Sequence, residues 1–201
     1  IKALLKSGIT RYRAGEKAEG IIDLKKAWEL APNMASTGVT LAMHYIKDKQ
    51  YTKALEVAKK QRIAFPTKPY ASIIEGFTYE GLKDKAQSTS AFTQALKLNP
   101  GNLTASLSLA NSALKDKNTT QARKLYIDAL NYHPVDMRTL SLLSQLDLAL
   151  GNTKEVEKLV KNAIQTAPDT PLFNSGFAKI FRLLKNYPQA IIEINKALKT
   201  E

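Results

Sequence analysis

The stretch ASLSLANSALKDKNTTQARKLYIDALNYHP, residues 105–134, reads as a helix, a polar turn at Asp116-Lys117, a second helix and a closing proline. Its apolar residues recur at helical spacing, and Pro134 cannot continue the helix before it. Moving outward in steps of 34 residues meets Pro100, Pro66 and Pro32 on one side and Pro168 on the other. Five prolines in one phase mark a stacked helix–turn–helix array. Each helix pair in such an array buries its apolar face mainly against its neighbours.

The phase divides the 201 residues into six repeats: 1–34, 35–68, 69–102, 103–136, 137–170 and 171–201. They are read as a single array, a piece of a longer protein, because the chain begins at Ile1 rather than Met. The eighth position of the repeats is Gly8, Ala42, Gly76, Ala110, Ser144 and Ala178. The twentieth is Gly20, Ala54, Ser88, Ala122, Val156 and Ala190, and the twenty-seventh is Ala27, Gln61, Ala95, Ala129, Ala163 and Ala197. Small residues at fixed spacing let helices approach closely, while Leu24, Phe92, Tyr126, Val160 and Ile194 fill the spaces between. In the first repeat Ile21, Leu24, Ala27, Trp28 and Leu30 form one stripe. Turns are expected at Gly15-Glu16, Asp48-Lys49, Lys83-Asp84, Asp116-Lys117, Gly151-Asn152 and Lys185-Asn186. Pro188 falls near a helix start, where proline is tolerated.

Hydrophobic content of 44% is ordinary for a soluble fold, and cysteine is absent, which excludes disulfides and thiolate chemistry. No apolar run approaches the ~20 residues that span a bilayer. No phosphate-binding loop appears, and His44 and His133 stand in different repeats outside any metal-ligand spacing. The chain is therefore read as non-enzymatic, without a cofactor or metal. The net charge is +12. Residues 1–34 carry seven basic and four acidic side chains and residues 35–68 seven and two, so the first two repeats hold +8 of it. Lys25, Lys26, Lys53, Lys59, Lys60 and Arg62 form a basic face on second helices. That face is read first as a solvated surface and second as a site for an anionic polymer: acidic polysaccharide, nucleic acid or lipid headgroups.

Residues 105–134 carry Leu109-Ala110, Ala122, Tyr126, Ala129 and Pro134. FAKIFRLLKNYPQAIIEINKAL (177–198) carries Phe177-Ala178, Phe181, Tyr187, Ala190, Ile194 and Ala197. This pattern resembles the tetratricopeptide repeat (TPR) family, and the resemblance covers the whole chain. It implies an all-α fold, a right-handed superhelical solenoid of about twelve antiparallel helices in six helix–turn–helix units. Ser7 and Glu75 depart from the pattern where a large apolar residue is expected, and Arg11 and Asp147 where Tyr-like residues stand elsewhere. A charge on a core side is costly unless paired, so these positions are read as partly exposed or locally shifted, with a deliberate polar contact as the alternative. A second resemblance rests on LSLLSQLDLALGNTKEVEKLVKNAI (140–164) and GFTYEGLKDKAQSTSAFTQALKLNPGN (76–102). These are similar to long bacterial arrays, including repeat lipoproteins of PEP-CTERM/exosortase and exopolysaccharide export systems. That likeness implies an assembly scaffold in the periplasm or anchored at the outer membrane.

The TPR resemblance implies that first helices line a concave groove and that partners lie there. In the first three repeats the groove positions give an apolar floor of Leu5, Ile9, Tyr12, Val39, Met43, Ile46, Tyr70, Ile73 and Phe77. In the last three they give Asn111, Arg138, Gln145, Lys179 and Arg182, which can bond an extended backbone or a sugar. The fifth and ninth positions cannot assemble the Lys/Asn/Arg clamp with which chaperone-binding members grip a terminal carboxylate. The expected partner is a protein or peptide segment, with acidic polysaccharide second and nucleic acid disfavoured. Exposed ends at Ile1, Leu4 and Leu5, or at Ile191, Ile194 and Leu198, offer a route to self-association.

Overall fold

The computed structural model describes residues 1–199, so the last two residues of the sixth repeat lie outside the described residues. Among the described residues there are twelve α-helices and no strand. The first repeat supplies α1 (Lys2–Ala14) and α2 (Lys17–Leu30), the second α3 (Ala35–Lys47) and α4 (Tyr51–Ala64), and the third α5 (Tyr70–Gly81) and α6 (Lys85–Leu98). The fourth supplies α7 (Leu103–Lys115) and α8 (Thr119–Tyr132), the fifth α9 (Met137–Ala149) and α10 (Thr153–Thr166), and the sixth α11 (Pro171–Leu183) and α12 (Tyr187–Leu198). Second helices begin 34 residues apart without slippage, and each of the five in-phase prolines stands two residues past a helix end. Pro188 sits in the first turn of α12, as the sequence predicts.

Local chemistry sets these boundaries. Asp84, Asn118 and Asn186 cap α6, α8 and α12, each accepting the backbone N–H three residues on. The residue before each of these caps, and its counterpart in the other repeats, adopts a left-handed backbone. Gly15 and Gly151 do so freely, whereas Lys49, Lys83, Lys117 and Lys185 do so with φ between 56° and 62°. All six turns therefore share one conformation, although only two of them hold glycine.

The chain forms two compact halves, Ile1–Ala105 and Ser106–Glu201, and the division falls within α7 rather than at a linker. In the N-terminal half α1 packs on α2, α2 on α3, α3 on α4, α4 on α5 and α5 on α6. Leu24, Leu41, Tyr45, Ala54, Val57, Ala58 and Ile74 make its central cluster. In the C-terminal half α8 packs on α9, α9 on α10 and α11 on α12, around Leu140, Leu143, Val156, Val160, Phe177 and Ile180.

The small columns act as expected. A Cβ added at Gly8 would lie 2.9 Å from the Gly20 carbonyl, and one added at Gly20 would lie 2.8 Å from the Gly8 carbonyl. In the third repeat the Ser88 hydroxyl donates to the Gly76 carbonyl at 2.9 Å across the same contact. Gln61 is the exception in an alanine column. It is fully buried, and Gly38 makes the room, since a Cβ there would lie 2.0 Å from Gln61 Nε2. Two expectations are corrected. Leu30 is exposed, because the last turn of α2 runs past the packed stripe, and Ile194 is exposed where its equivalents are buried.

Relieving one of the left-handed lysines gives a direct test of the turn. Lys83→Gly is expected to raise stability by about 1 kcal/mol, the steric cost removed less the added freedom of the unfolded chain. Urea denaturation of the two proteins measures it through the midpoint, with an unchanged slope.

Candidate functional site

The first helices of the N-terminal half carry the predicted apolar floor. Leu5, Ile9, Val39, Met43 and Ile46 are half-buried, resting on the central cluster with one side open. Tyr70 and Phe77 on α5 are also half-buried, and each makes an edge-to-face ring contact, Tyr70 with Phe65 and Phe77 with Phe92. Two members of the predicted floor belong to the core instead. Tyr12 is 3% exposed and Ile73 9%. Tyr12 meets Asp48 and His44 of the next repeat, and Ile73 is buried, so they support the floor rather than form its surface.

Tyr12 is held by a polar network. Its hydroxyl donates to Asp48 Oδ1 at 2.6 Å, and Lys17 Nζ lies 3.3 Å from the same oxygen. His44 meets the Tyr12 ring edge-on at 4.5 Å, with His44 Nδ1–H donating to the Thr40 carbonyl. Lys47 stands 5.0 Å over the Tyr12 ring. Burial, then the hydrogen bond to Asp48 and its charge, push the Tyr12 phenol up to about 12. Burial pushes the Asp48 carboxyl up, but hydrogen bonds from Tyr12 and Lys17 and the charges of Lys17 and His44 outweigh it and leave it below its usual value.

The departures from the repeat pattern are polar contacts. Ser7 Oγ donates to Asp23 Oδ2 at 2.6 Å, and Arg11 lies 3.4 Å from the same oxygen. Arg62 of α4 pairs with Glu75 of α5. Asp147 of α9 is 1% exposed and receives Arg123 of α8 in a two-pronged contact, Nε to Oδ1 at 2.6 Å and Nη2 to Oδ2 at 3.2 Å. Asn152 adds a third bond to that carboxylate at 3.3 Å. The Arg123 guanidinium is raised above its usual value by this hydrogen bonding. Sequence comparison missed these pairs because each partner stands at a different position of another helix.

The polar groove positions Asn111, Arg138, Gln145, Lys179 and Arg182 are all exposed. Gln145 Nε2 donates to Ser141 Oγ at 3.0 Å, one turn away on α9. The basic face is exposed but much of it is engaged. Lys25 lies 3.7 Å from Glu29, Lys53 sits 5.6 Å over the Tyr45 ring and Lys60 sits 5.0 Å over the Trp28 ring. Among the described residues no group of three or more acidic or histidine side chains could hold a metal ion, and no helix is long and apolar enough to cross a membrane.

The tetratricopeptide repeat family model matches residues 73–102, from α5 through α6 to the loop before α7. No curated protein matches the chain by sequence. Among solved structures the chain is similar to pilF of Pseudomonas aeruginosa, at 14% identity and a TM-score of 0.62, over 96% of this chain and 87% of that one. It is similar to a thermophilic TPR protein of Thermus thermophilus, at 19% identity and 0.60, over 90% and 98%. It is also similar to the Cut9–Hcn1 hetero-tetramer of the APC/C, at 15% and 0.55, over 90% of this chain and 35% of that chain. At these identities the likeness is one of fold.

Two substitutions separate structural polarity from free surface. Arg123→Leu strands the buried Asp147 carboxylate and is expected to cost about 3–5 kcal/mol, most of it recovered in Arg123→Leu/Asp147→Leu. Denaturation of the single and double variants reads the difference. Tyr12→Phe is expected to cost about 1–2 kcal/mol near neutral pH. The raised phenol contributes stability fully present below pH about 10, its unfolded value, and lost as pH rises toward about 12. The gap between wild type and Tyr12→Phe should therefore close over that window, as followed by thermal melts in alkaline buffers.

Proposed function

For a chain that matches the tetratricopeptide repeat model over residues 73–102 and is similar in fold to tetratricopeptide-repeat structures, we propose a non-catalytic scaffold that holds a segment of a partner protein along the first helices of its N-terminal half. The observation that carries this reading is the floor of α1, α3 and α5. Leu5, Ile9, Val39, Met43, Ile46, Tyr70 and Phe77 all keep one side open after their helices have packed. Apolar side chains in a row, left half-open on a rigid support, favour a partner's side chains over water. The family's general use as a protein–protein interaction scaffold supports the same reading. Tyr12 and Ile73 hold the support in place.

Taken by itself, the C-terminal half presents exposed amides and cations at Asn111, Arg138, Gln145, Lys179 and Arg182, which suit the backbone of an extended segment. The anionic-polymer alternative draws less support. Lys25, Lys53, Lys60 and Arg62 are turned to carboxylates and aromatic rings of the chain itself. A role as an assembly factor in a bacterial export system is a finer form of the proposal, supported by sequence resemblance alone.

A photo-crosslinking amino acid at position 43 or 77 is expected to capture a defined protein from the native lysate, while one at exposed Thr93 on α6 does not. Met43→Glu and Phe77→Glu should each lower recovery of that protein about tenfold, the cost of seating a charge on an apolar floor. Equal capture from all three positions would remove the floor as the site.

A further inference from the structure

The apolar floor of α1, α3 and α5 has a border of unpaired cations at one end. The second and thirteenth positions of a repeat lie within about 40° of the ninth around the helix, so they edge the floor. They are Lys2 and Arg13 on α1, Ser36 and Lys47 on α3, and Tyr70 and Gly81 on α5. Neither α1 nor α3 contains an acidic residue. Glu80, at the twelfth position of α5, is the only carboxylate at the second, fifth, ninth, twelfth or thirteenth position of these three repeats.

These cations differ from those nearby. Lys17 has Asp48, Lys25 has Glu29 and Arg62 has Glu75 within ion-pair reach. Lys2, Arg13 and Lys47 are exposed, and none has such a carboxylate among the described residues. Lys47 stands 5.0 Å over the Tyr12 ring, a contact that leaves its charge in place. Interior repeats show that the border stays open when another repeat packs in front of it. α3 has α2 against it and α5 has α4, yet Ser36, Lys47 and Gly81 remain exposed and Tyr70 half-buried. Lys2 and Arg13 therefore stay open whatever precedes α1. Lys6 is set aside, because Ile74 is buried at the same position of the third repeat.

Resting on the reading of the floor as a partner site, we propose that its occupant is an acidic, apolar segment of a partner protein. Apolar side chains of the segment lie on Ile9, Met43 and Phe77, and its carboxylates pair with Lys2, Arg13 and Lys47. Its acidic part lies over α1 and α3, and its apolar part runs on to α5, where Glu80 disfavours a further carboxylate. A basic segment would set cation against cation along the border. The +8 of the first two repeats draws an acidic segment in from a distance. A second copy of this chain, at net +12, suits the strip poorly.

The test places the photo-crosslinking amino acid at position 43 of the whole chain and maps the captured segment by mass spectrometry. The segment is expected to carry net negative charge, with apolar residues between its carboxylates. Lys2→Glu/Arg13→Glu should lower capture about tenfold. Lys25→Glu/Lys26→Glu changes the net charge equally on the outer face and should leave capture unchanged. All four side chains are exposed, and circular dichroism checks that both variants are folded. A synthetic copy of the captured segment should bind in fluorescence anisotropy and weaken as ionic strength rises from about 0.01 M to about 0.15 M. The proposal is overturned if the segment is neutral or basic, or if the two charge reversals lower capture alike; the floor then remains a partner site of other chemistry. It is equally overturned if the segment belongs to a second copy of this chain. Equal capture from positions 43, 77 and 93 is a separate outcome, which removes the floor as the site and this proposal with it.

Discussion

A pair of short helices cannot bury both of its apolar faces alone, and the rest of the structure depends on that. Leu24 is sealed on one side by the close contact of α1 with α2, and on the other by α3 of the next repeat. Burying such a side chain contributes about 1.5–3 kcal/mol. Ordering each residue's backbone costs about 1–2 kcal/mol, so a lone pair does not fold. Stability therefore comes from neighbours, one interface at a time. The same rule explains why the floor of α1, α3 and α5 stays open: those side chains lie on the edge that neither contact reaches.

The prolines and the small columns were legible because each is a one-position signal repeated in phase. The structure keeps the 34-residue step in the second helices without slippage. The shared left-handed turn was half-hidden, since Gly15 and Gly151 announce it while Lys49, Lys83, Lys117 and Lys185 do not. A lysine has no turn signature, and only the stacking around it forces the conformation. Floor and core could not be parted at Tyr12 and Ile73. Successive helical positions differ by about 100°, so residues on the border of a face look alike in sequence, and the neighbouring helix decides. Leu30 shows the converse, an apolar residue in phase with its stripe but past the reach of the packing.

The polar departures looked like defects because a column compares one position with itself. Asp147 stands eleventh in its repeat, and Arg123 stands twenty-first in the one before. Read together, they form a buried, two-pronged ion pair. Serine at position 7 is matched in the same way by Asp23 within its own repeat. Each oddity has its compensation one helix away, as expected where core charges must be paired to be tolerated.

These pairs also settle a problem that the repetition creates. Repeats that share the same small columns could in principle exchange neighbours, since an alanine contact fits any of them. The twenty-first positions are Ile21, Leu55, Thr89, Arg123, Glu157 and Ile191. Only the fourth repeat offers a cation there, so α9 has one seat where Asp147 meets an arginine. Against the first, second, third or sixth repeat that carboxylate would be buried beside Ile21, Leu55, Thr89 or Ile191. An uncompensated buried carboxylate costs several kcal/mol, comparable to the apolar gain of the interface itself. The small columns thus make the helices stackable, and the unlike polar pairs order the stack. The positions that depart from the repeat are therefore the ones that tell one repeat from another.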